Sequence, residues 1–447
     1  LSHRRDNIGL QSLDCFRIHR GGVVPEENCH LPGAFDQPQA PVGLGPQQRR
    51  DYRAQRDRLP ASTLLDLSAS NGPAILLIEK FLVSMFSINQ RPQMALPEAS
   101  SPATDAAFVR RCRDCVQDLT TPNIRVYVGD ILSSAAIAYS CLVVFLSAWG
   151  PLWLQVLCGI VAALSIYRLS IFIHELQHQH ADGFLGVRIL WNTVCGIPFL
   201  MPLFLYDEHR GHHSRATYAT PDDAEYLPPR RFHIGRCFVL LALSFFVYPV
   251  LGLLRFLIGT PLACCSQRLD RFVFQTLSSL YNLKFGYRRK YDASAVSASR
   301  WGQEISASLW SWVLVMGIWQ GWIPALIVWK IYLLFGFWML LNQVRTIAAH
   351  RYGGSGIGVV LWQLLDSNTF DCGGLWPEIW APVGLRYHAL HHLMPSMPYH
   401  AMRQAHGRLI DALPLDSPYH QTRQPSLSNA ILDTFFYRTG RRVGKPL

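Results

Sequence analysis

Two apolar runs, residues 131–149 and 151–173, stand back to back with only a Trp-Gly-Pro corner between them. Each approaches or exceeds the roughly 20 mostly apolar residues that a helix needs to cross the hydrocarbon layer. A connection that short folds them into a tight hairpin. A second pair of runs, residues 306–320 and 322–341, turns at Gln320-Gly321. Composition points the same way: the 447 residues are 50% hydrophobic and 16% charged, against about 25% charged in a soluble domain. The expected fold class is an all-α integral membrane protein, with two transmembrane helical hairpins and the remaining segments gathered into a cytoplasmic helical cap.

The charges set the orientation. The formal net charge is +11, but the basic residues sit in short clusters beside apolar segments, as cytoplasmic loops do, so nucleic acid is not an expected partner. Arg110, Arg111, Arg113 and Arg125 precede the first run, and the corner after it is uncharged. The positive-inside rule places both ends of that hairpin in the cytoplasm. Two further runs, 185–206 and 237–259, are ambiguous. Arg188, Pro198 and Pro202 interrupt the first; Pro249 and Pro261 mark the middle and end of the second. Basic clusters flank the second run on both sides, Arg230, Arg231 and Arg236 before it and Lys284, Arg288, Arg289 and Lys290 after it. Both runs are therefore read as re-entrant or interfacial. Lys330 falls inside the last span, either as a functional intramembrane charge or as a snorkelling side chain.

Residues 1–93 are read as a disordered or non-native extension. The first 70 or so are rich in Arg, Pro, Gln and Gly without apolar periodicity, and no Met occurs before Met85. The expected natural start is near Met94, leaving 94–447 as the functional unit; removing the extension should preserve activity. The 11 Cys are scattered through apolar stretches and linkers, as reduced thiols are. Cys112 and Cys115 form a lone CxxC with no second pair, read as two incidental thiols in preference to a zinc or redox site.

Histidine carries the chemistry. Three boxes stand out: His174-Glu-Leu-Gln-His178 followed by His180, then His209-Arg-Gly-His212-His213, then His388-Ala-Leu-His391-His392. Residues three or four apart share a helix face, so His174 and His178 can address one ion. In each HxxHH box the first and fourth positions are expected to do the same, with the adjacent His reaching a second ion or the other side of the first. Imidazole suits Fe, Cu, Ni and Zn, and no Cys cluster supports a thiolate zinc or iron–sulfur site. Eight imidazoles exceed the needs of one ion, which implies two. Metal-bound His usually donates its other ring N–H to a carboxylate or carbonyl; Glu175, Asp207, Glu208, Asp222 and Asp223 are the nearby candidates.

The boxes, their order and their gaps resemble the membrane fatty-acid desaturase and hydroxylase superfamily, and the text around them resembles its bacterial desaturase-like branch. That text includes Trp191-Asn192, Cys195-Gly196-Ile197-Pro198 and Pro395 through Tyr399-His400. The likeness spans residues 107–412. It implies a His-rich dimetal site in the cap, holding two iron ions and using O2 as co-substrate. It implies His350 as a further ligand after the last span, completing a set of His174, His178, His209, His212, His213, His350, His388, His391 and His392. Asn342 is read either as orienting a metal-bound water or as making a helix-end hydrogen bond. His180 departs from the pattern and suits a supporting role, His400 fixes its loop, and His233 and His406 read as surface residues.

The activity implied is oxidation of a long acyl chain, foremost desaturation. Hydroxylation or an oxidative decarboxylation giving a terminal alkene would use the same ligands. Neither a His-Pro-Gly-Gly haem motif nor a CxxxxCxxC pattern occurs, so a separate donor is expected, a ferredoxin or cytochrome b5-type protein with its reductase. The expected location is the lipid bilayer, most simply a bacterial inner membrane, with the boxes on the cytoplasmic side. A metal transporter would place its ligands within the spans, whereas these boxes follow them. A soluble metallohydrolase does not account for the hairpins.

Overall fold

The first hairpin consists of α2 (Ile124–Leu146) and α3 (Leu152–His178), preceded by α1 (Pro102–Asp114). The computed structural model describes residues 102–147, 149–179, 181–226, 234–281, 287–291, 297–352 and 359–436. The N-terminal extension read over 1–93, together with His180, His233, Arg230, Arg231 and Lys284, lies outside the described residues.

Asn123 caps α2, its side chain accepting from the Arg125 amide, which supplies one of the bonds a helix start lacks. The corner turns at Gly150, whose φ of 77° is the left-handed region open to glycine. Small residues Ala135 and Ala138 of α2 and Ala162 and Ala163 of α3 are buried in one core, allowing the close approach that helices use in lipid. The outer face is the reverse: Leu132, Ile137, Val143, Val156, Leu157 and Ile160 are exposed, as side chains facing acyl tails are.

Next come α4 (Ala181–Trp191), which passes into a π turn at Asn192–Gly196, and the short α5 (His209–His212). Pro198 and Pro202 lie in the non-helical stretch between them, where proline cannot continue a helix, and no continuous helix covers 185–206. Beyond this stand α6 (Ile234–Phe246), α7 (Tyr248–Cys265, with a π turn at Arg255–Gly259) and α8 (Gln267–Phe272). A second helical pair, α9 (Ala298–Trp319) and α10 (Ala325–Ala349), turns at Gly321 with φ 75°. The chain then forms α11 (Val360–Asp366), α12 (Trp376–Trp380), α13 (His388–Leu393), α14 (Tyr399–Ala412) and α15 (Leu427–Phe436). Among the described residues every regular element is helical; only isolated β-bridges occur, such as His350 with Ser367.

Among the described residues, four helices are long and apolar enough to cross a bilayer: α2, α3, α7 and α10. By length and apolarity alone, two of the runs stand differently from the sequence reading. Residues 306–320 are the second part of α9, whose first turns carry the buried Arg300 and Glu304, and α9 is not among the four. Conversely, Tyr248–Cys265 is, despite its prolines. Pro249 falls in the first turn of α7, where the missing N–H costs no helical bond, and Pro261 follows directly on the π turn. A buried ion pair joins these elements: Arg255 Nη2 lies 2.6 Å from Glu304 Oε1, Thr260 donates to Glu304 Oε2 at 2.7 Å, and Arg300 pairs with Asp270.

Lys330 donates to the Phe145 carbonyl (2.6 Å) and to Gln155 Oε1 (3.2 Å). It therefore satisfies an orphan carbonyl at the C-terminal end of α2, tying α10 to the first hairpin at the turn end, remote in sequence from the histidine boxes.

Candidate metal centre

The last turn of α3 carries His174 and His178, one turn apart on one face. Past the prolines, a 3-10 turn at Leu203–Tyr206 leads into α5, so that His209, His212 and His213 lie against that end. His350 is the first residue after α10, and α13 is buried along its whole length. The nine histidines assemble into two groups. His174, His178, His209, His213 and His391 form one; His212, His350, His388 and His392 form the other, with the candidate ligand atoms of each lying within 4.8 Å of one another.

The grouping corrects the expected pairing within the boxes. Positions one and five of each HxxHH share a group (His209 with His213, His388 with His392), while position four (His212, His391) crosses to the other. The physical reason is that i and i+4 side chains stack along one helix face, whereas i+3 sits about 60° round it.

The nitrogens converge. His350 Nε2 lies 3.1 Å from His212 Nε2 and 3.0 Å from His388 Nε2, and His392 Nε2 is 3.2 Å from His388 Nε2. In the other group His213 Nε2 lies 3.1 Å from His209 Nε2 and 3.0 Å from His391 Nε2. A ring nitrogen is a donor or an acceptor, never both, so a row of such contacts cannot be a chain of hydrogen bonds. Lone pairs aimed at a common cation account for all of them. Two nitrogens about 2.1 Å from an ion at right angles are about 3.0 Å apart, whereas tetrahedral geometry would open that edge to about 3.4 Å. The residues therefore offer two nitrogen-rich sites, of five and four histidines, that fit a metal ion each. Burial, then the neighbouring imidazoles, holds His209, His213, His388 and His392 well below the usual imidazole pKa, keeping them neutral and able to ligate.

These arrangements agree with what comparison with known proteins finds. Residues 147–423 match the family described as fatty acid desaturase. A ceramide hydroxylase of Caulobacter vibrioides (strain NA1000 / CB15N) is 35% identical over 342 residues, covering 74% of this chain and 94% of that protein. The chain belongs to the fatty acid desaturase family. No solved structure matches it. It is an integral membrane oxidoreductase, and its histidine groups form a metal site of the kind such enzymes carry.

Around the histidines of this desaturase-family enzyme, the supporting carboxylates are mostly not the expected ones. Asp223 is: it takes the His212 Nδ1 proton at 2.9 Å and accepts from the Ala219, Glu225 and Tyr226 amides. Burial opposes the charged forms of this pair, but mutual attraction and these N–H groups hold Asp223 below and His212 above their ordinary pKa values. Glu175 instead accepts from Tyr127, from Gln179 (3.0 Å) and from the Tyr399 amide (3.2 Å). Side chains adjacent on a helix diverge by about 100°, so His174 and Glu175 face different neighbours. Asp207 pairs with Arg289, Glu208 accepts from the Lys290 amide, and Asp222 pairs with Lys290 in the open. Asn342 accepts from Arg345 Nη2 at 3.0 Å.

Sequence reasoning missed Glu225, whose Oε1 meets His209 Nδ1 at 2.7 Å and whose Oε2 accepts from Tyr206. It also missed the Tyr218 hydroxyl, 3.2 Å from His350 Nδ1 and bonded to Asp366. Glu225 stands two residues beyond Asp223, a spacing that could have flagged it; Asp366 had no signal. His400 accepts from the Asn123 amide at 3.1 Å, fixing its turn onto the start of α2. His406 is not a surface residue: it is buried, 2.9 Å from the Tyr419 hydroxyl, because α14 turns that face onto the core. Cys112 and Cys115 are free thiols near the end of α1, and burial pushes the Cys112 thiol up to about 12, away from redox reactivity.

A cavity of about 110 Å³ adjoins the five-histidine group. Phe199, Phe335, Trp338 and Met339 line it, and His174, Tyr206 and Glu225 are also part of its wall.

Proposed function

We propose that this enzyme is an O2-dependent di-iron hydroxylase of a lipid acyl chain, with desaturation of the same chain as the second reading. The observation that carries the proposal is the cavity that joins an apolar, aromatic wall to His174. The hydroxylase reading is favoured by the ceramide hydroxylase likeness over 94% of that relative; desaturation is favoured by the family description.

In this reading His174, His178, His209, His213 and His391 hold one iron and His212, His350, His388 and His392 the other. Bound there, the iron pair supplies reductive activation of O2 for attack on an unactivated C–H bond. Asp223 and Glu225 fix ring orientation by holding the Nδ1 protons of His212 and His209. Phe199, Phe335, Trp338 and Met339 exclude water and hold the chain beside His174. Hydroxylation and desaturation would share all these residues and differ in how the neighbouring carbon is placed.

The proposed topology keeps the two hairpins, with the histidine centre on the cytoplasmic side. Trp149 and Trp153 at one turn and Trp319 and Trp322 at the other are all strongly exposed, as interfacial anchors are. A ferredoxin or a cytochrome b5-type protein with its reductase is the proposed electron source.

The test is expression in a bacterial membrane, iron counting, and mass spectrometry of lipids with and without reductant. About two irons per chain and a product heavier by one oxygen support hydroxylation. A product lighter by two hydrogens selects desaturation, and a one-carbon-shorter alkene selects decarboxylation. Zinc or no metal, with no lipid product, overturns the oxygenase reading.

A further inference from the structure

A second cavity, of about 660 Å³, opens between α4 and the start of α9. Its charged lining is Arg188, Arg210, Lys290, Arg300 and Asp207. Three of these have partners of opposite charge: Arg300 pairs with Asp270, Lys290 with Asp222, and Asp207 with Arg289. Among the described residues, Arg188 and Arg210 meet no carboxylate. Arg188 Nη2 donates to the Leu176 and Gln179 carbonyls at 2.9 and 3.0 Å, and Arg210 Nε to the Gln177 carbonyl at 2.8 Å. The end of α3 thus holds two guanidiniums near each other without neutralising either. Burial, then the Arg210 charge, holds the Arg188 guanidinium below its usual pKa range, as like charges do. Capping α3 also leaves N–H groups over. Arg188 Nε is sealed inside the protein but Nη1 is not, and no described residue takes up Arg188 Nη1 or either Nη of Arg210.

We propose that this groove takes the phosphate headgroup of an anionic membrane phospholipid between Arg188 and Arg210, as a lipid site apart from the cavity beside His174. Planar guanidinium forks match phosphate oxygens, and the phosphate charge relieves the repulsion between the two cations. The rim of the groove names the source of the phosphate. Leu185, Arg188 and Ile189 stand three and four residues apart, on one face of α4, and all three line the cavity. Leu185 and Ile189 are 61% and 58% exposed, so α4 sets its cation between two bare apolar side chains. A free phosphate has no use for them, whereas the first methylenes of a lipid's acyl chains cover both. Depth agrees: Arg188 is bonded to the last carbonyls of α3, a helix long and apolar enough to cross the bilayer, and so lies where headgroups lie. The proposal is independent of the oxygenase reading.

The experiment is native mass spectrometry of the full chain in detergent, incubated with equal amounts of phosphatidylglycerol and phosphatidylcholine carrying identical acyl chains. The wild-type protein should retain phosphatidylglycerol over phosphatidylcholine by about fivefold or more, roughly the worth of one basic residue at an anionic membrane surface. Arg188→Gln should remove most of that preference and Arg188→Lys keep part of it. Arg403→Gln, which removes an exposed cation on α14, should leave it intact. Because Arg188 also bonds α3, a second variant spares those bonds: Leu185→Glu places a carboxylate three residues from Arg188 on an exposed position, and should lower the preference as Arg188→Gln does. Equal retention of the two lipids by the wild-type protein overturns the proposal, and so does an unaltered preference in Leu185→Glu or an equal loss in Arg403→Gln. Inorganic phosphate at the lipid's own concentration should displace nothing; if it releases the phosphatidylglycerol, the groove is a site for a soluble anion and the lipid assignment falls.

Discussion

Asp223 and Glu225 reach their imidazoles from one short loop, and each fixes a ring in a different histidine group. Outer partners of this kind are commonly worth about 10- to 100-fold in metal affinity. Asp223→Asn and Glu225→Gln should therefore each weaken metal binding by about that factor in a chelator competition. Asp207→Asn should leave it unchanged, since Asp207 is spent on Arg289. His391→Ala and His212→Ala should abolish turnover and each lower the iron count, as they sit in separate groups; full activity in either variant would contradict their assignment as ligands. The gathering of the three boxes was readable from their spacing, because residues three and four apart share a helix face, whereas His350 came from the family resemblance. Of their supporters, Asp223 was readable too. Glu175 beside His174 and Asp207 two residues before His209 face away, while Asp366, which bonds Tyr218, comes from α11 with nothing in the sequence to mark it.

Among the elements, the link between α7 and α9 is the most exacting. Arg255 and Glu304 are almost completely buried and bonded at two points, and removing one partner of such a pair costs about 3–5 kcal/mol by leaving the other charge unpaired. Glu304→Ala should lower the thermal midpoint in detergent markedly. Glu304→Gln, which retains an acceptor oxygen, should lower it less. This pair also explains why the apolar run does not mark the whole of α9. An apolar run was taken as the helix, but α9 begins eight residues earlier, at Ala298. Its polar first turns are buried against α7 and α8 rather than solvated, a tertiary pairing that no hydropathy window contains. The two corners were legible because Gly150 and Gly321 each occupy a backbone region with φ above 70° that other residues resist.

For the whole molecule, single cysteines in a cysteine-free background can decide the orientation. With two hairpins, probes at 149 and 322 should react with a membrane-impermeant maleimide in intact cells, and probes at 290 and 415 only after lysis. Should α7 cross and α9 not, that pattern breaks at 290. Membrane residence was plain from the apolar runs; the count of crossings depends on how α6, α7 and α9 pack, which is a property of the assembled fold. The exchange of one histidine between the second and third boxes has its own outcome for the protein in a living cell. In the proposed di-iron reading, an ion in the five-histidine group would tie α5 to α13, and those helices carry three of the four ligands of the other group. The second ion would then meet a site whose helices are already joined, and should bind more tightly than the first. Under iron scarcity the population should divide into fully loaded and empty molecules, with few carrying a single ion, so that rationing reduces how many enzymes work without producing half-built centres that leak reduced oxygen.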